Sequence, residues 1–240
     1  MRGFLDLHSH WVAGIDDGAH TPDEGVAMLR ALKLAGFDTV VATPHMRPPM
    51  FPNTSDDLVR AYDAMLPALT GPDFPATALS SEHFFDDIVF PRILAGQALP
   101  YPGGKAVLVE FSYDAFPARI ADRFFDLAQR RLRPVLAHPE RYRPVWDDAA
   151  VLEPLLDGGA VLLLDLAALV GKYGRATQKA AERLLEQGMY DAACSDAHHL
   201  DDVADVARGI ERLEKLCGRE EAEFLLGDGP RAILDGTLPQ

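Results

Sequence analysis

The chain has 240 residues, of which 48% are hydrophobic and 25% are charged, and its formal net charge is −14. This amount of apolar sequence is enough for one full-sized core, so we expect a single domain over residues 1–240. A surface this acidic repels phosphate backbones, which argues against a general nucleic-acid-binding protein.

Short apolar strands alternate with longer helical patterns along the chain. The first helix is predicted to begin at Thr21, with Pro22 as its first residue, and to end near Gly36. Further helices are predicted at 55–69, 117–131, 149–156, 176–187 and 201–216, with a short one after the turn at 227–230. The predicted strands are 3–7, 39–43, 77–81, 106–111, 134–137, 160–164 and 190–195. This alternation predicts βαβ units and a parallel sheet, either a (β/α) barrel or an open doubly wound sheet.

Residues that can bind metals follow six of the seven predicted strands. These residues are His8, His10, His45, Glu82, Glu110, His138, Asp196 and His198. In a barrel the carboxyl ends of all strands open onto one face, whereas an open sheet spreads them along a line. A shared site at these positions therefore favours the barrel over the open sheet.

The imidazoles show a repeated spacing. A single His at a strand end is more often structural than a ligand, but His8 and His10 are two residues apart, and Asp196 and His198 repeat that spacing. Imidazole is the commonest nitrogen ligand of Zn, Mn and Fe in proteins. Because the first and last strands of a barrel are neighbours, we expect the two pairs to face each other.

The carboxylates and one Arg extend this pattern. Glu82 and Glu110 follow apolar flanks, and a carboxylate buried there needs a cation or a proton as its partner. Asp16 and Asp17 share the loop after the first strand, where one is expected to bind a metal and the other to cap a turn. Arg141 lies three residues after a strand-end His, where its guanidinium suits a pair of phosphate oxygens.

The remaining polar residues have weaker placements. His20 and His83 are predicted to be structural, His199 is a candidate substrate contact, and Asp165 is a candidate hydrogen-bond acceptor behind the ligands. The two cysteines form no Cys-x-x-Cys pair and lack the following Arg of a cysteine-dependent phosphatase loop. No apolar run reaches the ~20 residues of a membrane span, so we expect a cytoplasmic protein with reduced thiols and no membrane span.

The motifs resemble those of the polymerase-and-histidinol-phosphatase (PHP) superfamily. They are His8-Ser9-His10, Asp16-Asp17-Gly18, Ala42-Thr43-Pro44-His45, Glu82, Val109-Glu110-Phe111, Ala137-His138-Pro139-Glu140-Arg141-Tyr142, Gly171-Lys172-Tyr173-Gly174 and Ser195-Asp196-Ala197-His198. Over residues 1–200 the chain is similar to the bacterial metal-dependent tyrosine-protein phosphatases of capsule and exopolysaccharide operons. The resemblance implies an α/β fold, a distorted seven-stranded (β/α) TIM-like barrel of the PHP type.

The resemblance also implies three divalent metal ions, which would be Mn, Fe, Zn or Co. One ion would be bound by His8, His10, Glu82 and Asp196. A second would be bound by Glu82 as a bridge, with Glu110 and His138. A third would be bound by Asp17, His45 and His198. Family spacing prefers Asp17 to Asp16, and Arg141 matches the phosphate-binding Arg.

The chain departs from the phosphatase branch at two places. The branch usually has Asn after the final His and another Arg shortly beyond, whereas His199 stands here and no Arg precedes Arg208. On the sixth strand, Leu163 and Asp165 occupy positions that are usually neutral and polar. Both changes lower the positive charge around the expected phosphate.

The expected activity is hydrolysis of a phosphomonoester by water that the cations activate. The expected substrate and partner is the tyrosine-rich tail of a bacterial exopolysaccharide tyrosine kinase. One alternative is a small-molecule phosphatase for histidinol phosphate or a nucleotide, or a nuclease of the same superfamily. Another is a non-catalytic, metal-binding regulatory protein.

Overall fold

The computed structural model describes residues 3–238 and contains parallel strands that alternate with helices. The strands are β1 (Phe4–Asp6), β2 (Phe37–Ala42), β3 (His45–Met46), β4 (Ala76–Leu79), β5 (Glu82–Phe84), β6 (Ala106–Glu110), β7 (Arg133–Ala137), β8 (Val161–Asp165) and β9 (Ala192–Cys194). They form a three-stranded sheet of order β1-β2-β4 and a six-stranded sheet of order β3-β5-β6-β7-β8-β9. The predicted α/β class with parallel pairing is therefore confirmed.

The helices mostly lie where the sequence predicts them. They are α1 (Pro22–Ala35), α2 (Ser55–Met65), α3 (Val89–Leu94), α4 (Ile120–Gln129), α5 (Arg143–Asp147), α6 (Glu153–Asp157), α7 (Arg175–Glu186), α8 (Asp202–Cys217), α9 (Arg219–Glu223) and α10 (Gly229–Asp235). The Thr21 hydroxyl caps α1 by accepting a hydrogen bond from the Glu24 amide at 3.3 Å. The continuous helix predicted at 149–156 is wrong. A 3₁₀ turn ends at Leu152 and α6 starts anew beside Pro154, which has no amide to donate.

Two strands break at the level of the expected site. β2 ends at Ala42 and β3 begins at His45, and the β4–β5 pair repeats this break before Glu82. His45 and Glu82 follow the ends of β2 and β4, as predicted, but each also begins a short second strand that was not predicted. Pro44 has no amide for the ladder, and its carbonyl and that of Thr43 share the Glu82 amide at 3.3 Å each. His45 and Glu82 are consequently register partners in the six-stranded sheet.

The first and last strands meet at their carboxyl ends. Ser9 and Ala197 form a single parallel bridge, and the Asp196 amide donates to the His8 carbonyl at 2.9 Å. The buried Asp6 carboxylate strengthens this junction by accepting a hydrogen bond from the Ser195 amide at 2.9 Å. Within residues 3–238, β1 and β9 share no continuous ladder, so the strands form two sheets joined by this junction.

Apolar side chains cover both faces of the strands. Alternate residues of one strand belong to different clusters: Val107 and Val109 pack towards the helices, whereas Leu108 packs in a smaller inner cluster. The inner cluster contains Leu5, Leu7, Val41, Tyr101, Ala106, Leu108, Val135, Ala137, Val161, Leu163, Ala192, Cys194, Ile233 and Leu234. Because both faces are covered, polar chemistry is concentrated at the carboxyl ends of the strands. None of the helices in residues 3–238 has both the length and the apolar character that crossing a membrane requires.

Candidate metal centre

Glu82 lies at the centre of the carboxyl end of the strands and is only 1% exposed. Its carboxylate oxygens lie 3.4 Å from His8 Nε2, 3.6 Å from His10 Nε2, 3.0 Å from His45 Nδ1 and 3.1 Å from His138 Nε2. The structure therefore brings His8, His10, His45 and His138 together around Glu82. Four imidazoles around one buried carboxylate form a site for positive charge.

The charges in this cluster strongly influence one another. Burial favours the neutral form of Glu82, but the nearby His8 and His45 outweigh burial and hold its pKa well below the usual range. Burial likewise opposes protonation of His8, yet the charges of Glu82 and Asp196 raise its pKa to about 9. The carboxylates of the cluster therefore favour positive charge beside them.

One group of donor atoms surrounds His8. The Nε2 atoms of His8 and His10 are 3.1 Å apart, and Asp196 Oδ1 lies 3.2 Å from the first and 3.6 Å from the second. The candidate donor atoms of His8, His10 and Glu82 lie within 4.8 Å of one another, as do those of His8, His138 and Asp196. Burial and the neighbouring His198 lower the pKa of His10 to about 4, so its ring is neutral and its nitrogen can bind a metal.

A second group lies nearer the surface. It consists of His10, Asp17, His45 and His198, whose donor atoms lie within 4.8 Å of one another. Asp17 Oδ1 is 3.4 Å from His45 Nε2 and 3.6 Å from His198 Nε2. The rings of His10 and His198 are stacked with centroids 3.9 Å apart. The three residues expected to share one ion are brought together here, and His10 joins them.

Asp16 has a different environment from Asp17. Its Oδ2 lies 2.8 Å from His10 Nδ1 and accepts a hydrogen bond from the His45 amide at 3.0 Å, while Oδ1 accepts one from the Gly18 amide at 3.0 Å. Both oxygens are thus engaged by protein groups. Gly18 is needed beside them, because a Cβ there would lie 2.0 Å from the His10 carbonyl oxygen. The Asp-Asp-Gly motif therefore orients His10 with its first Asp and offers a donor with its second.

A third group contains His45, Glu82 and Glu110. The resemblance grouped Glu110 with Glu82 and His138, whereas the structure places His138 in the set with His8 and Asp196, and Glu82 touches both sets. Burial, together with the charge of Glu82, raises the pKa of Glu110 to about 7. A cation close to Glu110 would therefore stabilise its charged form.

Two residues of the centre have strained backbones. His138 and Asp196 adopt φ angles of 36° and 44°, in the left-handed region that non-glycine residues avoid. Each such conformation costs about 1–3 kcal/mol and persists only when its surroundings enforce it. His138 directly follows β7, and Asp196 lies two residues after the end of β9. The sharp turn of the chain at each position directs the side chain towards the centre.

Arg141 lies at the mouth of the centre, as predicted, in the 3₁₀ turn after β7. Its Nη1 donates to the Asp196 carboxylate and lies 3.6 Å from Asp165 Oδ2, while Nη2 donates to the Tyr113 hydroxyl at 2.7 Å. Its Cζ lies 5.1 Å from the ring centroid of Tyr113 and 4.3 Å from that of Tyr173. The two rings hold the guanidinium in place, and the Arg141 side chain remains 16% exposed.

The other predictions have mixed outcomes. His83 is structural in its contacts: Nδ1 is 2.8 Å from the Leu108 carbonyl oxygen, and Nε2 accepts a hydrogen bond from the Leu99 amide at 3.2 Å. The exposed rings of His20 and His199 lie 5.8 Å apart and belong to none of the donor groups.

Sequence reasoning missed Tyr113, which packs beside Arg141, and Arg47, whose Nη1 is 3.3 Å from Glu110 Oε2. Tyr173 stood within a recognised motif, but its contact with Arg141 was not predicted. Tyr113 lies in no pattern that points to a site. Arg47 lies two residues after His45, and this spacing is a weak indication of a site residue.

Comparisons with known proteins place the chain among proteins of capsule synthesis. A family model described as capsular polysaccharide synthesis, CpsB/CapC, matches residues 4–235. The tyrosine-protein phosphatase YwqE of Bacillus subtilis is 29% identical over 82% of this chain and 78% of its own. The tyrosine-protein phosphatase CpsB of Streptococcus pneumoniae is 24% identical over 98% and 99%, respectively.

Solved structures extend the comparison. A structure described with YwqE from Bacillus subtilis and CpsB from Streptococcus pneumoniae as unique metal-dependent tyrosine phosphatases is 28% identical. It superposes with a TM-score of 0.87 over 96% of this chain and 94% of the other. An amidohydrolase from Mycoplasma synoviae shares the fold alone. It is 12% identical and superposes with a TM-score of 0.61 over 97% of this chain and 87% of the other. The match over residues 4–235 shows that the chain belongs to the CpsB/CapC family of capsular polysaccharide synthesis.

Proposed function

We propose that this protein is a metal-dependent phosphatase that hydrolyses phosphotyrosine in proteins. The observation that carries the proposal is the buried Glu82 carboxylate with four imidazole nitrogens within 3.6 Å. The relatives are named tyrosine-protein phosphatases, and the matching structure is described as a metal-dependent one. The site and the comparisons therefore favour the same reaction.

The donor atoms support three divalent ions. We assign the first to His8, His10, Glu82 and Asp196, and we place His138 beside it with Glu82 as the shared carboxylate. We assign the second to Glu82, Glu110 and His45, and the third to Asp17, His10, His45 and His198. His10, His45 and Glu82 occur in more than one group, which indicates a single connected cluster. Asp16 orients His10 and is assigned no ion.

The donor set fits divalent cations. Asp196 Oδ1 is buried and has no hydrogen-bond partner among the described residues, although imidazole nitrogens of His8, His10 and His198 lie 3.2–3.7 Å away. Facing lone pairs on His8 and His10, 3.1 Å apart, need a proton or a cation between them. Mixed nitrogen and carboxylate ligands suit Mn, Fe, Zn or Co, and availability then selects the metal.

Bound divalent cations would supply an activated water and stabilise the charge of the phosphoryl oxygens. The protein's own contribution is to orient the imidazoles and to present Arg141 to the phosphoryl group. A guanidinium fork can bind two phosphoryl oxygens at once, and the Tyr113 and Tyr173 rings limit its movement. Cys194 is buried, and burial raises the pKa of its thiol well above the usual value, so it is a poor nucleophile.

We propose that residues 1–240 form a single domain in which both sheets make up one distorted seven-stranded barrel. In this barrel β2 with β3, and β4 with β5, each count as one broken strand, and the β1–β9 junction closes it. We propose that the partner is a tyrosine kinase of capsule or exopolysaccharide synthesis, dephosphorylated at its tyrosine-rich tail, because the relatives are named tyrosine-protein phosphatases and the family is described by capsular polysaccharide synthesis. Because tyrosine phosphorylation consumes ATP, we also propose a cytoplasmic location.

The test is reconstitution. The purified protein would be stripped with a chelator, reloaded separately with Mn, Fe, Zn or Co, and assayed on phosphotyrosine peptide, phosphoserine peptide, histidinol phosphate and single-stranded DNA. We expect turnover of phosphotyrosine peptide with at least one metal, and its loss in chelator. Turnover of histidinol phosphate or DNA alone would replace the proposal by another phosphoesterase. Zero turnover with every metal would favour a non-catalytic metal-binding protein.

A further inference from the structure

Arg47 is held firmly at the rim of the centre. It follows β3, and its backbone pairs with Phe51 through two hydrogen bonds, Arg47 amide to Phe51 carbonyl at 2.9 Å and Phe51 amide to Arg47 carbonyl at 2.8 Å. The Phe51 ring stacks on His45, with centroids 5.3 Å apart and an interplanar angle of 5°. The turn that carries Arg47 is therefore fixed to one of the candidate ligands.

The Arg47 guanidinium reaches from the surface to a buried carboxylate. Its Cζ lies 4.2 Å from the ring centroid of Phe84, and Nη1 is 3.3 Å from Glu110 Oε2. The Arg47 side chain is 29% exposed, whereas that of Glu110 is 2% exposed. Among the described residues, Glu110 is the one group that accepts a hydrogen bond from this guanidinium, which leaves most of its five N–H donors free.

The position of Arg47 mirrors that of Arg141 across the sheet. In the order β3-β5-β6-β7, Arg47 follows β3 and Arg141 follows β7, while Glu82 and Glu110 lie on β5 and β6 between them. Arg47 contacts the Glu110 carboxylate, and Arg141 contacts the Asp196 carboxylate. The two cations therefore follow the two outer strands of this order and flank the strands that carry Glu82 and Glu110.

We propose that Arg47 is a second phosphoryl-binding residue, which binds a non-bridging oxygen of the substrate on the Glu110 side of the centre. This inference rests on the proposed function. When a metal balances the charge of Glu110, the attraction between Glu110 and Arg47 weakens, and the guanidinium can pair with the phosphate instead. Charge-assisted hydrogen bonds from Arg to phosphate are among the strongest in proteins. Phe84 keeps the guanidinium at the rim while its partner changes.

The experiment compares metal-loaded wild type with Arg47→Ala, Arg47→Lys and the control Arg60→Ala, whose exposed side chain pairs with Asp57 on α2. Four quantities are measured: metal per chain by elemental analysis, the inhibition constant of inorganic phosphate, and kcat and KM for an aryl phosphate. For Arg47→Ala we expect unchanged metal content, phosphate inhibition weakened about tenfold and kcat/KM lowered about 10²-fold. Arg47→Lys should restore part of both, because Lys keeps the charge but loses the fork.

Two outcomes would overturn the inference. Loss of metal together with turnover in Arg47→Ala would show that Arg47 only neutralises Glu110, and constants equal to those of Arg60→Ala would show no contact with phosphate. Calorimetric titration of inorganic phosphate into the metal-loaded protein separates this inference from the proposed function. If the wild type hydrolyses no phosphomonoester but Arg47→Ala still weakens phosphate binding about tenfold, the function fails and the anion site stands. If Arg47→Ala does not fold, the comparison of Arg47→Lys with wild type gives the same decision.

Discussion

The metal centre and the apolar layer beneath it lie on the same strands but are built in opposite ways. In the lower layer Leu5, Val41 and Leu108 are completely buried against other apolar side chains. Burying such a side chain stabilises the fold by about 1.5–3 kcal/mol. At the centre the buried groups are ionisable, and a buried charge destabilises the fold unless a partner balances it. The lower layer therefore stabilises the fold, and the centre depends on it to keep charged groups in place.

The sharpest test of this difference is Glu82→Ala. Glu82 contacts four imidazoles and belongs to two donor groups, so its loss should reduce the metal content and lower turnover at least about 10³-fold, since bound metal contributes several kcal/mol to such reactions. Circular dichroism should show an intact fold. The exposed Glu220→Ala is the matched control and should change neither quantity. Wild-type turnover in Glu82→Ala would rule out the proposed ligand assignment.

Arg141→Lys should have the next largest effect. Lys keeps a positive charge but cannot bind two phosphoryl oxygens as a fork, so we expect full metal content and a loss of about 10²–10³-fold in kcat/KM. Steady-state kinetics at saturating metal provide the measurement.

Arg208→Ala is the control for Arg141, because Arg208 is exposed on α8 and pairs with Asp205. Equal turnover is expected for this variant and the wild type. A large loss at Arg208 with a small one at Arg141 would place phosphate binding on α8 instead.

Leu108→Ala tests the lower layer. Leu108 is fully buried in the inner cluster, and truncating a buried Leu costs about 2–5 kcal/mol of unfolding free energy. Urea unfolding of the metal-free protein would measure this loss, while metal content and turnover per folded molecule should stay close to wild type. Leu34→Ala is the control, because Leu34 is 89% exposed and should change stability by less than about 0.5 kcal/mol. A Leu108→Ala protein of normal stability that lost its metals would contradict the division between the two layers.

The sequence predicted the elements of the centre better than their contacts. Strand-end residues such as His8 and His138 were predictable because alternation with helices fixes where parallel strands end. The break before Glu82 was not predictable, because its amide bonds to the carbonyls of Thr43 and Pro44, which lie in the break between β2 and β3 and are distant in the chain. The contacts of Tyr113 with Arg141 and of Arg47 with Glu110 were also not predictable, since each joins segments that are distant in the chain and have no local pattern.

The smallest expected effect distinguishes the two adjacent carboxylates of the Asp-Asp-Gly motif. Asp16→Asn keeps one acceptor oxygen but replaces the other by an NH2 group, so either the Gly18 amide loses its acceptor or the His10 ring and the His45 amide both lose theirs. Residues that orient a metal-binding His typically contribute about 10–100-fold to metal affinity. We therefore expect Asp16→Asn to bind metal more weakly and to regain turnover when metal is in excess.

Asp17→Asn is the matched variant, because Asp17 itself lies in a donor group with His10, His45 and His198. An amide oxygen is a much weaker ligand than a carboxylate for a divalent cation, so excess metal should restore this variant less than Asp16→Asn. Titrating each chelator-treated protein with metal while turnover is followed measures both affinities on one scale. If Asp16→Asn were the variant that metal cannot rescue, Asp16 would be the ligand and Asp17 the orienting residue. That result would assign the third ion to Asp16, beside the Gly18 turn, instead of to Asp17.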